Sequence, residues 1–148
     1  GDAYLELASL REASGELDEA ERVLSVGLER IPGFVEGVAA RGDLYARAKR
    51  YEDATTTFLQ LSTMKPDDEP TLQKVLVNAT RARLLPVALA SARRLASLAA
   101  RRDDQAALKD ARLTVRALSR LLGEVDPVAH GLRLTDPVRR ALARAETR

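Results

Sequence analysis

The sequence predicts an all-α protein of stacked helix pairs, and three observations favour that fold class. An alanine recurs every 34 residues, at Ala20, Ala54 and Ala88. Each of these alanines follows a large apolar residue by three places, which is helical spacing. Aromatic residues make up only 3% of the chain, so the core must consist of Leu, Val and Ala, which suit close helix packing. A fixed period of about 20 to 50 residues is typical of stacked-repeat proteins and limits the function to binding scaffolds.

The composition indicates one globular domain, since 45% of the 148 residues are hydrophobic and 31% are charged. The absence of cysteine excludes a disulfide framework and thiolate chemistry. No apolar run approaches the ~20 residues of a membrane-spanning helix, so we expect a soluble protein of the cytoplasm or periplasm. The chain starts at Gly1 without methionine, and we therefore expect it to be a piece of a longer protein.

The charge is distributed unevenly, although the net charge is only +2. Residues 1–69 hold 8 Lys/Arg and 15 Asp/Glu, a net of −7, whereas residues 70–148 hold 16 and 7, a net of +9. Such asymmetry bears on partners and solubility rather than on the fold. We expect an acidic end and a basic end.

The first repeat is predicted to contain two helices joined at Gly15, which can take the left-handed conformation that ends a helix. Pro32 and Gly33 stop the second helix, which we expect at about residues 18–30. The second repeat copies this design, with Lys49 in the place of Gly15, so the second turn should be less favourable. Arg41 is a further departure from the first repeat, because it stands in the place of Leu7.

These positions resemble the tetratricopeptide repeat family, whose 34-residue helix–turn–helix units carry small, aromatic and proline residues at fixed places. The resemblance is strong over residues 1–68 and weaker over residues 69–102, a degenerate third copy with Leu76 where a small residue is expected and Ala79 in place of tyrosine. The positions that carry the resemblance are Tyr4, Leu7, Ala8, Gly15, Ala20, Leu24, Pro32, Val38, Gly42, Tyr45, Ala54, Phe58 and Pro66.

The resemblance implies a right-handed α-solenoid of three such helix pairs, followed by a long capping helix and a short C-terminal helix. Asp103 and Asp104 should cap the long helix, which carries one apolar stripe as expected of a terminal repeat. The expected single domain therefore divides into repeats at 1–34, 35–68 and 69–102, a capping helix at 103–122 and an extension at 123–148.

The sequence offers little for catalysis. His130 is the only histidine and stands in a connector rich in proline and glycine, without the further ligands that a metal site needs. The acidic clusters at residues 16–19, 67–69 and 103–104 lie at predicted helix starts, where capping explains them. We therefore expect no enzymatic activity, no cofactor and no metal.

The resemblance implies that the first helix of each pair lines a concave groove. Apolar and small residues among charged ones there suit an amphipathic helix or a short extended segment of a partner protein. The acidic N-terminal part of this groove should face basic residues of the segment. We expect the groove to be lined by Leu5, Ser9, Glu12, Glu36, Ala39, Asp43, Arg47, Gln73, Val77, Arg81, Lys109 and Arg116.

Phe34 has two interpretations. It lies at the junction into the second repeat, where it either staples the two repeats together or stands on the groove lip as an aromatic anchor.

The terminal-carboxylate clamp of chaperone-binding family members is rejected here, because Leu5, Ser9 and Asp43 replace its Lys and Asn residues, and Asp43 would repel a carboxylate.

Two alternatives stay open. The C-terminal helix, through Val138 and Leu142, could fill its own groove or that of a second copy, as an assembly or autoinhibitory element. The stripe of Arg112, Arg116 and Arg120 could instead contact an anionic partner. The lack of aromatic residues on that stripe disfavours nucleic acid, and the oligomeric state is left undefined by the sequence.

Overall fold

The computed structural model describes residues 1–123, which form seven α-helices and no strand and are 81% helical. The all-α, helical-repeat fold class is confirmed. The expected short C-terminal helix, with Val138 and Leu142, and the connector with His130 lie outside the described residues.

The six helices of the three pairs keep the predicted period. The first helices of the three pairs end at residues 13, 47 and 81, and the second helices begin at residues 17, 51 and 85. The helices are α1 (Asp2–Ala13), α2 (Leu17–Arg30), α3 (Val35–Arg47), α4 (Tyr51–Met64), α5 (Glu69–Arg81), α6 (Leu85–Arg101) and α7 (Gln105–Leu121). The predicted capping helix corresponds to α7, whose N-cap residue Asp104 accepts a hydrogen bond of 3.0 Å from the Ala107 N–H.

The turns within the pairs repeat the same backbone geometry. Gly15, Lys49 and Arg83 occupy equivalent positions of successive repeats and have φ angles of 77°, 60° and 62°. At the first turn the Gly15 N–H donates to the Glu12 carbonyl and the Glu16 N–H donates to the Arg11 carbonyl, both at 2.9 Å. This is the Schellman arrangement that satisfies the last carbonyls of a helix, and the other two turns contain the equivalent bonds.

The chain divides into two compact units, Gly1–Thr71 and Leu72–Arg148, with the boundary inside α5. The expectation of a single domain stays a prediction. In the first unit, a core cluster of Ala8, Ala20, Leu24 and Leu44 joins α1, α2 and α3. The recurrent alanine at position 20 is fully buried, and its small side chain allows close helix approach.

The second repeat also depends on a small residue for its helix pairing. A Cβ atom added at Gly42 of α3 would lie only 2.5 Å from the ring of Phe58 on α4. The third repeat places its large and small side chains the other way round, with Leu76 in the place of Gly42 and Ala92 in the place of Phe58. Leu76 packs against a core cluster that contains the small residues Ala79 and Ala92. A degenerate repeat therefore keeps a filled core by exchanging large and small positions.

The core of the second unit joins α5, α6 and α7. Leu118 of α7 is buried together with Ala88, Leu89 and Ala92 of α6, and Val115 packs against the same cluster. The expected apolar stripe of the capping helix is therefore its packed side. Within the described part of the chain, no helix has the length and apolar character that crossing a membrane requires.

Candidate binding surface

The predicted groove residues of the first unit lie on α1 and α3, which contact each other. Ser9, Glu36 and Arg47 are exposed, whereas Leu5, Glu12, Ala39 and Asp43 are half-buried. Leu5 also packs against the cluster around Ala8, so its side chain belongs to both the core and the surface. We call these seven predicted residues of α1 and α3 the α1–α3 surface, and its half-buried Leu5 and Ala39 the floor.

Glu12 and Arg47 form an ion pair that joins the first helices of neighbouring repeats. The Arg47 Nη2 donates to Glu12 Oε2 at 2.8 Å, and Arg47 Nε donates to Glu12 Oε1, so the contact is bidentate. The hydrogen bond to Glu12 raises the pKa of the Arg47 guanidinium, and the charge of Asp43 adds to this effect. The only basic group predicted on this surface is thus already engaged by an acid.

Phe34 is buried, with 6% of its surface exposed. A Cβ atom added at Gly37, Gly27 or Gly1 would lie 2.3, 3.3 or 3.0 Å from its ring atoms, so the ring fills a socket of three glycines. The ring therefore presents almost no area to a partner. This packing favours the interpretation of Phe34 as a staple between the repeats, and we leave it out of the proposed surface.

The predicted groove residues of the second unit are all exposed. Gln73, Val77 and Arg81 follow one another at four-residue spacing along α5, and Val77 is 46% exposed. Lys109 and Arg116 are exposed on α7. A single exposed valine is ordinary on a protein surface, so these residues do not by themselves define a binding site.

Glu21, Tyr45 and Arg50 form a polar cluster that the sequence did not indicate. The Tyr45 hydroxyl donates to Glu21 Oε1 at 2.6 Å, and Arg50 Nη1 donates to Glu21 Oε2 at 2.8 Å. The Arg50 guanidinium also lies 4.5 Å from the centre of the Tyr45 ring, a cation–π contact. The cluster connects α2 to the last turn of α3 and to the turn between α3 and α4.

The pKa values of Glu21 and Tyr45 are both shifted by this cluster. The hydrogen bond from Tyr45 holds the pKa of the Glu21 carboxyl below its ordinary value, aided by Arg50. Burial, together with the hydrogen bond to Glu21, raises the pKa of Tyr45 to about 12. The tyrosine position of the repeat pattern was the available signal. The contacts of Glu21 were not visible in the sequence, because both of its partners belong to the following repeat.

Among residues 1–123, no set of three or more His, Cys, Asp or Glu side chains is placed to hold a metal ion. The predicted groove residues of α1 and α3 are three carboxylates, one guanidinium and three apolar or small residues. Such groups recognise charged and apolar side chains of another polypeptide.

Comparison with known proteins gives a fold. No protein-family model and no curated protein matches the chain. A solved structure described as "MamA RS-1 ArsTM double mutant" matches with a TM-score of 0.56 and 14% identity, covering 82% of this chain and 76% of that one. MamA is a protein that contains tetratricopeptide repeats. The chain therefore shares a helical-repeat fold with a tetratricopeptide repeat protein.

Proposed function

We propose that the protein is a non-enzymatic scaffold that binds an amphipathic segment of a partner protein through the first helices of its repeats. The observation that carries this proposal is the α1–α3 surface, where half-buried Leu5 and Ala39 lie among charged side chains. The helical-repeat fold supports it, because stacked helix pairs offer extended surfaces to other polypeptides.

The chemistry of the partner segment follows from charge. The α1–α3 surface carries three carboxylates, Glu12, Glu36 and Asp43, against the single guanidinium of Arg47. Since Arg47 is paired with Glu12, the surface keeps a negative excess. We expect the partner segment to place Lys or Arg there and apolar residues against the floor.

Peptide selection tests this proposal. The chain, immobilised, is used to select from a displayed library of random peptides, and the recovered sequences are compared with the input. We expect peptides that combine basic and apolar residues. Asp43→Arg should weaken their binding about tenfold or more, because it reverses a charge on the surface. Glu52→Arg makes the same kind of change at an exposed site on α4 and should leave binding unaltered.

Two results would reject the proposal: recovery of no peptide family, or equal loss of binding in both variants. Circular dichroism of each variant confirms that the helices are intact. Because Arg47 lies close to Asp43, a second variant, Ala39→Gln, tests the floor without changing the charge of the surface, and it should also weaken binding.

A second candidate function uses the basic side of α7. Arg112, Arg116 and Arg120 are exposed and spaced four residues apart, so they lie along one side of the helix. An acidic protein segment is the partner that this stripe would fit. Selected peptides rich in Asp and Glu, lost on Arg112→Glu and Arg116→Glu substitution, would favour this alternative.

A further inference from the structure

Equivalent positions of α1 and α3 differ greatly in exposure. Leu10 of α1 is 66% exposed, whereas Leu44, its equivalent in the next repeat, is 3% exposed. Leu44 owes its burial to the preceding helix pair, because it belongs to the cluster of Ala8, Ala20 and Leu24. The position of Leu10 is therefore one that a repeat of this protein uses to pack on another helix pair.

The other positions on the same side of α1 show the same difference. Ala3 is exposed where Gly37 is buried, and Ser14 is exposed where Ala48 is half-buried. Leu7 on the same side of α1 and Leu17 at the start of α2 are exposed as well, so the first helix pair leaves three large apolar side chains exposed. We call this the α1 end surface, formed by Ala3, Leu7, Leu10, Ser14 and Leu17.

A second exposed apolar surface lies on α7. Leu113 and Leu121 are 52% and 67% exposed, and Ala106 and Ala117 are exposed on the same helix. We call these four residues the α7 surface. Of the six large apolar side chains that are exposed among residues 1–123, five lie on the α1 end surface or the α7 surface.

The two surfaces have opposite charge around them. Helix α1 carries Asp2, Glu6 and Glu12 against Arg11. Helix α7 carries one acid, Asp110, against four exposed basic residues, which are Lys109, Arg112, Arg116 and Arg120. Pairing α1 with a second α1 would bring carboxylates together, whereas pairing α1 with α7 brings opposite charges together.

We propose that the α1 end surface of one copy packs on the α7 surface of a second copy, head to tail. Exposed apolar side chains supply the contact, and the opposite charges of the two helices set its direction. Such an interface is heterologous, since each copy contributes a different surface. Its apolar contact is separate from the proposed partner site, because neither the α1–α3 floor nor Val77 takes part, although Glu12 and Arg116 contribute charge to both.

Complementary variants test the proposal. Leu7→Ser with Leu10→Ser removes the α1 end surface, and Leu113→Ser with Leu121→Ser removes the α7 surface. The mass of the full chain is measured by sedimentation over a range of concentrations. We expect the wild type to rise above its monomer mass of 16.1 kDa with concentration. Each double variant alone should stay at that mass, because it lacks one of the two surfaces needed.

The decisive measurement is the mixture of the two double variants. Each keeps one intact surface, so an equimolar mixture should form a complex of twice the monomer mass and no larger. Ala100→Ser, at an exposed residue of α6 on neither surface, is the control and should associate as the wild type does. Higher salt should weaken the association, because it screens the charges.

Three outcomes would overturn the proposal. A wild type that stays monomeric at every concentration would assign the α1 end surface to a different polypeptide. An α7 double variant that still associates, with no complex forming in the mixture, would indicate pairing of two α1 helices. Association that strengthens with salt would exclude charge complementarity as the basis of its direction. Circular dichroism of each variant shows that the loss of association is not a loss of fold.

Discussion

Lys49 takes, one repeat after Gly15, the same left-handed backbone conformation as that glycine, with φ of 60° against 77°. A side chain in this conformation brings Cβ close to the following carbonyl oxygen and costs about 1 kcal/mol, which glycine avoids. We expect Lys49→Gly to raise the free energy of unfolding by roughly 0.5–1 kcal/mol. Denaturant unfolding followed by circular dichroism measures the change.

Two further substitutions at equivalent turns serve as controls. Arg83→Gly should stabilise in the same direction, because Arg83 has φ of 62° in the same turn. Gly15→Ala should cost about 1 kcal/mol, although nothing lies within 4 Å of an added Cβ, since only the backbone conformation is at issue. A less stable Lys49→Gly variant would show that the lysine side chain contributes more than the turn geometry.

The contact between Glu12 and Arg47 should be measurable but small. Both side chains are partly exposed, so a bidentate pair contributes about 0.5–1 kcal/mol rather than the larger value of a buried pair. A double-mutant cycle with Glu12→Gln and Arg47→Gln should give a coupling energy in that range, reduced in high salt. A coupling energy of zero at low salt would mean that the pair is not formed in solution.

Stability should depend on pH through the Glu21–Tyr45 hydrogen bond. The pKa of Glu21 is lowered in the folded state, so its contribution is present above the ordinary value of 4.5 and is lost as pH falls through the lowered folded value. The pKa of Tyr45 is raised to about 12, so its contribution is present below 10.0 and is lost as pH rises towards 12. Between these limits both groups stabilise the fold.

The variant Tyr45→Phe separates this hydrogen bond from ring packing. We expect a loss of about 1 kcal/mol at neutral pH, since the ring stays and one hydrogen bond to a charged group is removed. The difference from the wild type should shrink in acid, as Glu21 is protonated. In a phenolate absorbance titration, the step near pH 12 should disappear with Tyr45. If that step remains, the late titration does not belong to Tyr45.

How much of the structure the sequence predicts depends on whether each feature is local or periodic in the chain or is instead formed by contacts between distant helices. The repeat period and the turn at Gly15 are local or periodic features, so they were visible in the sequence. The contact of Tyr45 with Glu21 is neither, because it depends on how α2 packs beside α3. The groove prediction placed Glu12 and Arg47 on one surface without indicating that their charges pair.

Gly37 shows the same limit and supplies a prediction that opposes helix propensity. Alanine is about 1 kcal/mol better than glycine inside a helix, so Gly37→Ala would stabilise α3 if only local structure counted. A Cβ there would lie 2.3 Å from the Phe34 ring, however, and overpacking typically costs about 1–3 kcal/mol. We expect Gly37→Ala to lower the free energy of unfolding by about 1–2 kcal/mol.

Adding Phe34→Leu to Gly37→Ala should recover part of this loss by giving the new methyl group room, while Phe34→Leu alone destabilises. Urea unfolding of the three variants provides the comparison, and a Gly37→Ala variant more stable than the wild type would mean that the Phe34 ring moves aside without cost.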